Sequence, residues 1–303
     1  MKSLNEVLKL AQKQVPKTIA LACPEDFEVL TAVFEARHLN LCSFILFGNK
    51  ALIMQKLAIM NRQIDDNVKI VDVKNNELAC LEAAKAVSSG DAQILMKGLV
   101  DTSVILKAVL RREDGLRTNN ILSHIMLCEL PKLKRLIFLS DGAMNIDPSP
   151  EDLKHIINNV VKVAHALEIN QPKVALLSAV EKVNPKMLST IKCQTVQEMY
   201  NQGKIIDCDL LGPLALDLAI DKEAARIKGI NHPVAGNADI LIAPYIEVAN
   251  VLYKGWVFGC SNIKSAGIVV GAKAPIVLTS RADTHESKIY SIALSVLIGE
   301  YHV

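Results

Sequence analysis

Short apolar runs alternate with helical patterns through most of the chain, and this rhythm constrains the fold more than any other feature of the sequence. Lys17 to Cys23, Cys42 to Phe47, Val68 to Val73 and Ala92 to Met96 each read as a short buried strand. A short amphipathic helix carrying Leu4, Val7, Leu8 and Leu10 comes before the first of them. Pro24, Glu25 and Asp26 open a helix whose face holds Phe27, Leu30, Val33 and Phe34, as a proline and acids in a first turn should. Two more helices are expected at Glu77 to Val87 and at Ser103 to Leu110, the second capped by Asp101 or Thr102. Strands and helices joined by short connections make a parallel sheet covered by helices on both faces.

From Gly115 the rhythm breaks. Ser123 to Leu130 and Leu136 to Leu139 are strand-like runs separated only by a turn at Pro131 and Lys132, which predicts a hairpin and so a mixed sheet. Alternation then resumes with helix Pro150 to Leu167, strand Val174 to Ser178, helix Pro185 to Asn201 and strand Ile205 to Leu211. Helix Leu214 to Lys228, strand Asp239 to Ala243 and helix Ile246 to Phe258 follow. Two strands around Ile268 and Ile276 precede a last helix with Ile289, Ile292, Ala293, Val296 and Leu297 on its face. A chain of 303 residues is long for a single hydrophobic core. We therefore expect two α/β lobes, residues 1–119 with 264–303 and residues 120–263.

Composition narrows the function. Half of the residues are hydrophobic and 22% are charged, so the chain can bury a sizeable core and carries no mark of disorder. The net charge is only +2 and no Lys/Arg tract is present, which argues against a nucleic-acid or membrane-surface partner. No apolar run approaches the roughly 18 to 20 residues that cross a bilayer. The start, MKSLNEVLKLAQKQVPK, has acids and amides where a signal peptide has its apolar centre, so a cytoplasmic setting is expected. The seven cysteines are scattered, fit no Cys-x-x-Cys spacing and read as buried, reduced thiols. The seven histidines are equally dispersed, and no metal site is expected.

The polar residues at strand ends carry the chemical information. They include Lys97 with Gly98, Asp141 with Asn145, Glu181 with Asn184, Pro244 with Glu247 and Asn250, and Ser280 with Arg281 and Asp283. Taken singly, each reads as a cap or a turn residue. The last group is different. In GIVVGAKAPIVLTSRADTHES an apolar run ends in Thr279, Ser280, Arg281, Asp283, Thr284, His285 and Glu286 just before a helix. Hydroxyls, a guanidinium and carboxylates gathered where a strand hands over to a helix suit an anionic ligand, because strand carboxyl ends and helix amino ends open onto the same crevice. Gly-x-Gly-x-x-Gly after a strand, the Gly-x4-Gly-Lys-Ser/Thr phosphate loop and the Gly-x-Ser-x-Gly elbow are all missing from the sequence.

Longer strings extend the picture. LMKGLVDTSVILKAVL (Leu95 to Leu110), GLRT followed by LSH (Gly115 to His124), AMNIDP (Ala143 to Pro148), AVEKVNPKM (Ala179 to Met187), GPLALDLAI (Gly212 to Ile220), PVAGNADILIAP (Pro233 to Pro244), NVLYK (Asn250 to Lys254) and VGAKAPIVLTSRADTHESK (Val270 to Lys288) resemble the phosphate acetyltransferase and phosphate butyryltransferase family, and its butyryl branch more closely. The resemblance runs from about Lys17 to the end. It implies a two-lobed α/β fold related to isocitrate and isopropylmalate dehydrogenases, with the active site in the cleft between lobes. It also implies reversible acyl transfer between coenzyme A and inorganic phosphate, with CoA as a substrate and no cofactor.

By the same resemblance Arg281 is the clamp for phosphate or acyl phosphate, a role that suits a bidentate guanidinium. Ser280 would donate to the developing oxyanion or to the thiol, and Asp283 is the expected base, with Glu286 as its rival. Lys97, Lys107, Arg117, Lys273 and Asn250 are further candidates for phosphate or CoA contacts. Two departures stand out. The branch pattern Pro-Asp-Ile-Glu-Ala-Gly-Asn appears here as Pro244-Tyr245-Ile246-Glu247-Val248-Ala249-Asn250, and Asp-Gly-Pro-Leu as Leu211-Gly212-Pro213-Leu214. Tyr245 and Ala249 therefore bear on acyl preference or on activity itself, and acetyl-CoA as substrate or a weakly active CoA-binding relative are the alternative readings. A dehydrogenase would need clustered aspartates for Mg²⁺, whereas Asp217, Asp221 and Asp239 fall on separate elements. The apolar character of Ile246 to Phe258 predicts a homodimer or larger assembly.

Overall fold

The computed structural model describes residues 1–278 and 284–299. In chain order the elements are α1 (Leu4–Ala11), β1 (Lys17–Ala22), α2 (Phe27–His38), β2 (Cys42–Gly48), α3 (Lys50–Ile59), β3 (Val68–Asp72), α4 (Asn76–Ser88), β4 (Ile94–Lys97) and α5 (Thr102–Val109). Then come β5 (Ser123–Leu130), β6 (Arg135–Ser140), α6 (Pro150–Ala166), β7 (Lys173–Leu177), α7 (Leu188–Asn201), β8 (Asp209–Leu214), α8 (Leu216–Ile220) and α9 (Lys222–Ile227). The last elements are β9 (Ile240–Ile242), α10 (Ile246–Gly259), β10 (Lys264–Val270), β11 (Ile276–Val277) and α11 (His285–Ile298). The architecture is mixed α/β. Among the described residues no helix is long and apolar enough to cross a membrane.

The chain divides into two compact units, Asn5–Asn120 with Ala266–Val303, and Met1–Leu4 with Ile121–Ser265. In the first, β3, β2, β1, β4 and β11 lie side by side and parallel, with Ile19 level with Phe44 on one side and Ile94 on the other. β10 runs antiparallel beside β11. The central strands are almost wholly buried, Ile19 to Ala22 and Ile94 to Met96 included, as strands covered on both faces must be. In the second unit β5 and β6 form the antiparallel hairpin, and β6, β9, β7 and β8 continue parallel. Helix α6 opens this run on a full capping box, Ser149 receiving from Asp152 N–H while the Asp152 carboxylate receives from Ser149 N–H, with Pro150 in the first turn.

Local chemistry explains where the elements depart from the pattern read in the sequence. Helix α3 escapes that reading because only Ile53 and Leu57 are buried, while Leu52, Met54 and Ile59 are apolar yet exposed and blur the period. The helix expected from Leu214 to Lys228 is two helices. Asp221 between them is extended (φ −116°, ψ 116°) and its carboxylate accepts from the N–H groups of Glu223 and Ala224, which restarts the helix. Gly236 packs so closely there that a Cβ would sit 2.5 Å from Lys222 Cα. Helix α7 starts at Leu188 rather than Pro185, because the Thr190 hydroxyl and the backbone of Asn184 bond to each other and hold a turn.

Candidate active site

In the unit built around β1, the carboxyl ends of β1 and β4 meet at Gly98. Gly98 N–H donates to Ala22 O at 2.8 Å and Leu99 N–H to Cys23 O at 2.7 Å. A Cβ on Gly98 would lie 2.1 Å from Cys23 O, so only glycine fits this approach. Lys97, the last residue of β4, is buried, and its ammonium donates to the carbonyls of Gly98 (3.2 Å) and Val100 (3.0 Å). Cys23 and Cys80 lie within reach of that charge. A hydrogen bond from Cys23 lowers the Cys80 thiol below its ordinary value, and the Lys97 ammonium acts in the same sense against burial. The same bond and burial push the Cys23 thiol up.

β11 runs parallel to β4, so its carboxyl end, from which the chain leads to Thr279, lies on the same side as Lys97. Ser280, Arg281 and Asp283 themselves lie outside the described residues. Glu286, the rival base, is in the first turn of α11, where Tyr290 donates to its carboxylate at 3.0 Å. Thr284 caps that helix through Ser287 N–H.

Arg117 and Lys273 belong to the opposite end of the same strands. Lys273 N–H donates to Leu116 O at 2.8 Å and the Thr118 hydroxyl to Gly271 O at 2.6 Å, which ties the two segments together in the turn before β11. The Lys273 ammonium reaches Gly115 O at 3.4 Å, and both cationic side chains are exposed. Lys107 is elsewhere again, exposed on α5 in a hollow of about 480 Å³ that it shares with Asn75, Glu77 and Arg111. The structure thus separates cations that the sequence grouped by chemistry alone.

In the other unit, the carboxyl end of β6 carries Asp141. Its buried carboxylate accepts from Ala143 N–H (2.9 Å), Met144 N–H (3.0 Å), Asn145 N–H (3.2 Å) and Asn145 Nδ2 (2.6 Å), winding the loop around one charge. Asn250 joins α10 to this loop by donating to Gly142 O at 3.0 Å. Ala249 is fully buried beside Gly142, with 3.4 Å between its Cβ and the place a Gly142 Cβ would take. Its methyl is therefore core packing. Tyr245 is half-buried, and the Lys192 ammonium sits 4.1 Å over its ring, also reaching Pro244 O at 3.3 Å and the Asp147 carboxylate. A hollow of about 590 Å³ opens beside them, lined by Leu177, Ala179, Met187, Tyr245, Val248 and Val251 among others. Lys192 was missed in the sequence, because nothing in its spacing connects it to Tyr245.

Six cysteines are buried, and Cys260, expected to be buried as well, is exposed at the end of α10. Burial pushes the Cys128 thiol up to about 12, which keeps it protonated and unsuited to nucleophilic attack. Among the described residues no three His, Cys, Asp or Glu side chains come together as metal ligands.

In each unit, parallel strands with polar side chains at their carboxyl ends place the chain among α/β proteins, the class in which ligands bind at such strand ends. The comparisons go one step further. A sequence model of the family described as "Phosphate acetyl/butaryl transferase" matches residues 75–296, and the chain belongs to that family. It is 45% identical to a "Probable phosphate butyryltransferase" of Bacillus subtilis over 298 residues, 98% of each chain. It is 43% identical to the "Phosphate butyryltransferase" of Clostridium acetobutylicum over 299 residues, 99% of each chain. A solved "branched-chain phosphotransacylase from Enterococcus faecalis" is similar with a TM-score of 0.83 at 36% identity, covering 94% of this chain and 100% of that one. The resemblance read from the motifs is borne out.

Proposed function

We propose that the protein moves a butyryl or branched short acyl group reversibly between coenzyme A and inorganic phosphate. The observation that carries this reading is the identity of 45% and 43%, over nearly the whole chain, to the butyryltransferases named above. In this reading a phosphate oxygen attacks the thioester carbon directly in a ternary complex. The tetrahedral oxyanion collapses with loss of the C–S bond, and the departing thiolate takes a proton, leaving acyl phosphate and free CoA. Arg281 holds the phosphate, Ser280 donates to the oxyanion or the thiol, and Asp283 or Glu286 exchanges the thiol proton. Lys97 supports them from the neighbouring strand end. No cofactor and no metal takes part, and the setting is cytoplasmic.

A two-lobed plan of the isocitrate and isopropylmalate dehydrogenase kind belongs to the same proposal and rests on the family resemblance. Asn250 acts by holding the Asp141 loop to α10. Tyr245, at the rim of an apolar hollow, bears on acyl preference.

The test is phosphate-dependent release of free thiol from acetyl, propionyl, butyryl, isobutyryl and isovaleryl CoA. Turnover should peak at four or five carbons and fall about 10²- to 10³-fold in Arg281→Ala, the usual loss for a donor aimed at developing charge. A peak at acetyl would shift the reading to the acetyl branch. Absence of turnover with every acyl-CoA would overturn it and leave a CoA-binding role.

A further inference from the structure

Two thiols meet at the strand end that carries Lys97. Cys23 directly follows β1, and its Sγ lies 3.8 Å from the carbonyl of Asn76 in the first turn of α4. Cys80 stands one helical turn further along α4. A helical side chain leans back toward the amino end, which brings the Cys80 sulfur to that same turn. The two thiols share a hydrogen bond, and both are buried. The other buried cysteines, Cys42, Cys128, Cys193 and Cys208, have no second thiol among the groups that act on them.

The surroundings suit Cys80 for attack and Cys23 for the reply. The bond from Cys23 and the Lys97 ammonium draw Cys80 toward its thiolate, whereas the same bond, with burial, holds the proton on Cys23. Cys23 is also the strained member, with a left-handed backbone (φ 55°) immediately before Pro24. Cys80 is fixed, because it is buried with Ala79, Ala83 and Ala84 in the face of α4 that packs on β1 and β2. The turn above the pair, Glu25 to Glu28, is partly exposed, so a local opening there admits a molecule as small as peroxide.

We propose that Cys23 and Cys80 form a reversible disulfide under peroxide, and that this bond switches off the strand end at Lys97. The Cys80 thiolate attacks a peroxide oxygen, so an S–O bond forms and the O–O bond breaks. The departing hydroxide takes up the proton that Cys80 had shed, giving water and a sulfenic acid. The Cys23 sulfur then attacks the Cys80 sulfur. An S–S bond forms, the S–O bond breaks, and hydroxide leaves with the Cys23 proton as a second water. The thiols lose two electrons and peroxide gains them. In a reducing setting the bond lasts only while oxidant is present, since a dithiol reverses it. Its effect travels through the backbone of Cys23, whose carbonyl receives Leu99 N–H at 2.7 Å. The Lys97 ammonium holds the same loop by the carbonyls of Gly98 and Val100. A covalent S–S separation of about 2.05 Å draws Cys23 toward the fixed helix and away from that loop.

The experiment uses the full chain carrying Cys260→Ser, which removes the exposed thiol. With about a tenfold excess of hydrogen peroxide it should lose two thiols and about 2 Da, and a peptide map should join Cys23 to Cys80 until dithiothreitol parts them. Cys23→Ala should stop at a Cys80 sulfenic acid that dimedone traps, and Cys80→Ala should keep its thiols. Hydrogen exchange at the Leu99 amide should quicken about tenfold on oxidation. Phosphate-dependent thiol release from butyryl-CoA should fall about 10²-fold, the cost of misplacing a site element by about 1 Å, and return once the protein is reduced and the reductant removed. The rate of Cys80→Ala, against its own untreated rate, should not respond to peroxide. Thiols that survive peroxide, or a link between other cysteines, would overturn the proposal. So would a 23–80 bond that leaves both the Leu99 amide and the rate as they were. The rate arm rests on the acyl-transfer reading, whereas mass and hydrogen exchange do not; a chain that releases no thiol even before treatment would overturn that reading and not the disulfide.

Discussion

The carboxylate of Asp141 satisfies three backbone N–H groups and one side-chain amide at a strand end, so its removal strands several buried donors at once. Asp141→Ala should lower the unfolding free energy by about 3 kcal/mol in urea titration, well beyond an ordinary surface change. Gly98→Ala should cost about 1 to 3 kcal/mol by the same measurement, because its methyl has nowhere to go but into Cys23 O. At this scale the sequence was informative where the signal is local. Lys97 with Gly98 reads as a strand end without any structure. Lys192 over Tyr245 does not, since 53 positions separate the two residues and only the fold closes that distance. That Lys97 and Lys273 sit at opposite ends of neighbouring strands is hidden from the sequence for a related reason. Which end of a strand a residue occupies depends on the direction of its neighbours, and β11 had first to be seen running parallel to β4.

Among elements, those with chemical punctuation were legible. The string Ser149-Pro150-Glu151-Asp152 announces α6, and the structure shows both bonds of the capping box. Ser149→Ala should cost about 1 kcal/mol, seen as a Tm lower by a few degrees in a thermal melt. The hairpin β5–β6 was equally clear, because a proline turn between two apolar runs leaves no room for a helix. The break at Asp221 was not, since Leu214 to Lys228 keeps helical periodicity on both sides of a residue whose cap bonds override it. The candidate catalytic run was picked out by its residue types, and the roles within it came from the family resemblance. Its chemistry was plain in the sequence, while its neighbours depend on strand order that no local pattern encodes.

For the molecule as a whole, buried thiols set an alkaline limit. Burial raises Cys128, Cys193 and Cys208 from an ordinary 9.0 to about 12. The folded state therefore keeps protons that the unfolded chain releases. Stability from these groups is complete below pH 9 and is lost as pH rises through 12. Thermal melts in the presence of a reductant should show Tm falling across that window, and less steeply in Cys128→Ala than in the wild type. The division into two units has a consequence for synthesis. The segment 121–265 is complete, apart from Met1–Leu4, while the last residues are still unmade. The unit that starts at Asn5 must wait, because β4 gains its neighbour β11 only when Ile276 and Val277 appear. A ribosome making this protein thus holds an older half-sheet with an open edge at β4 while the strands of a younger one pair.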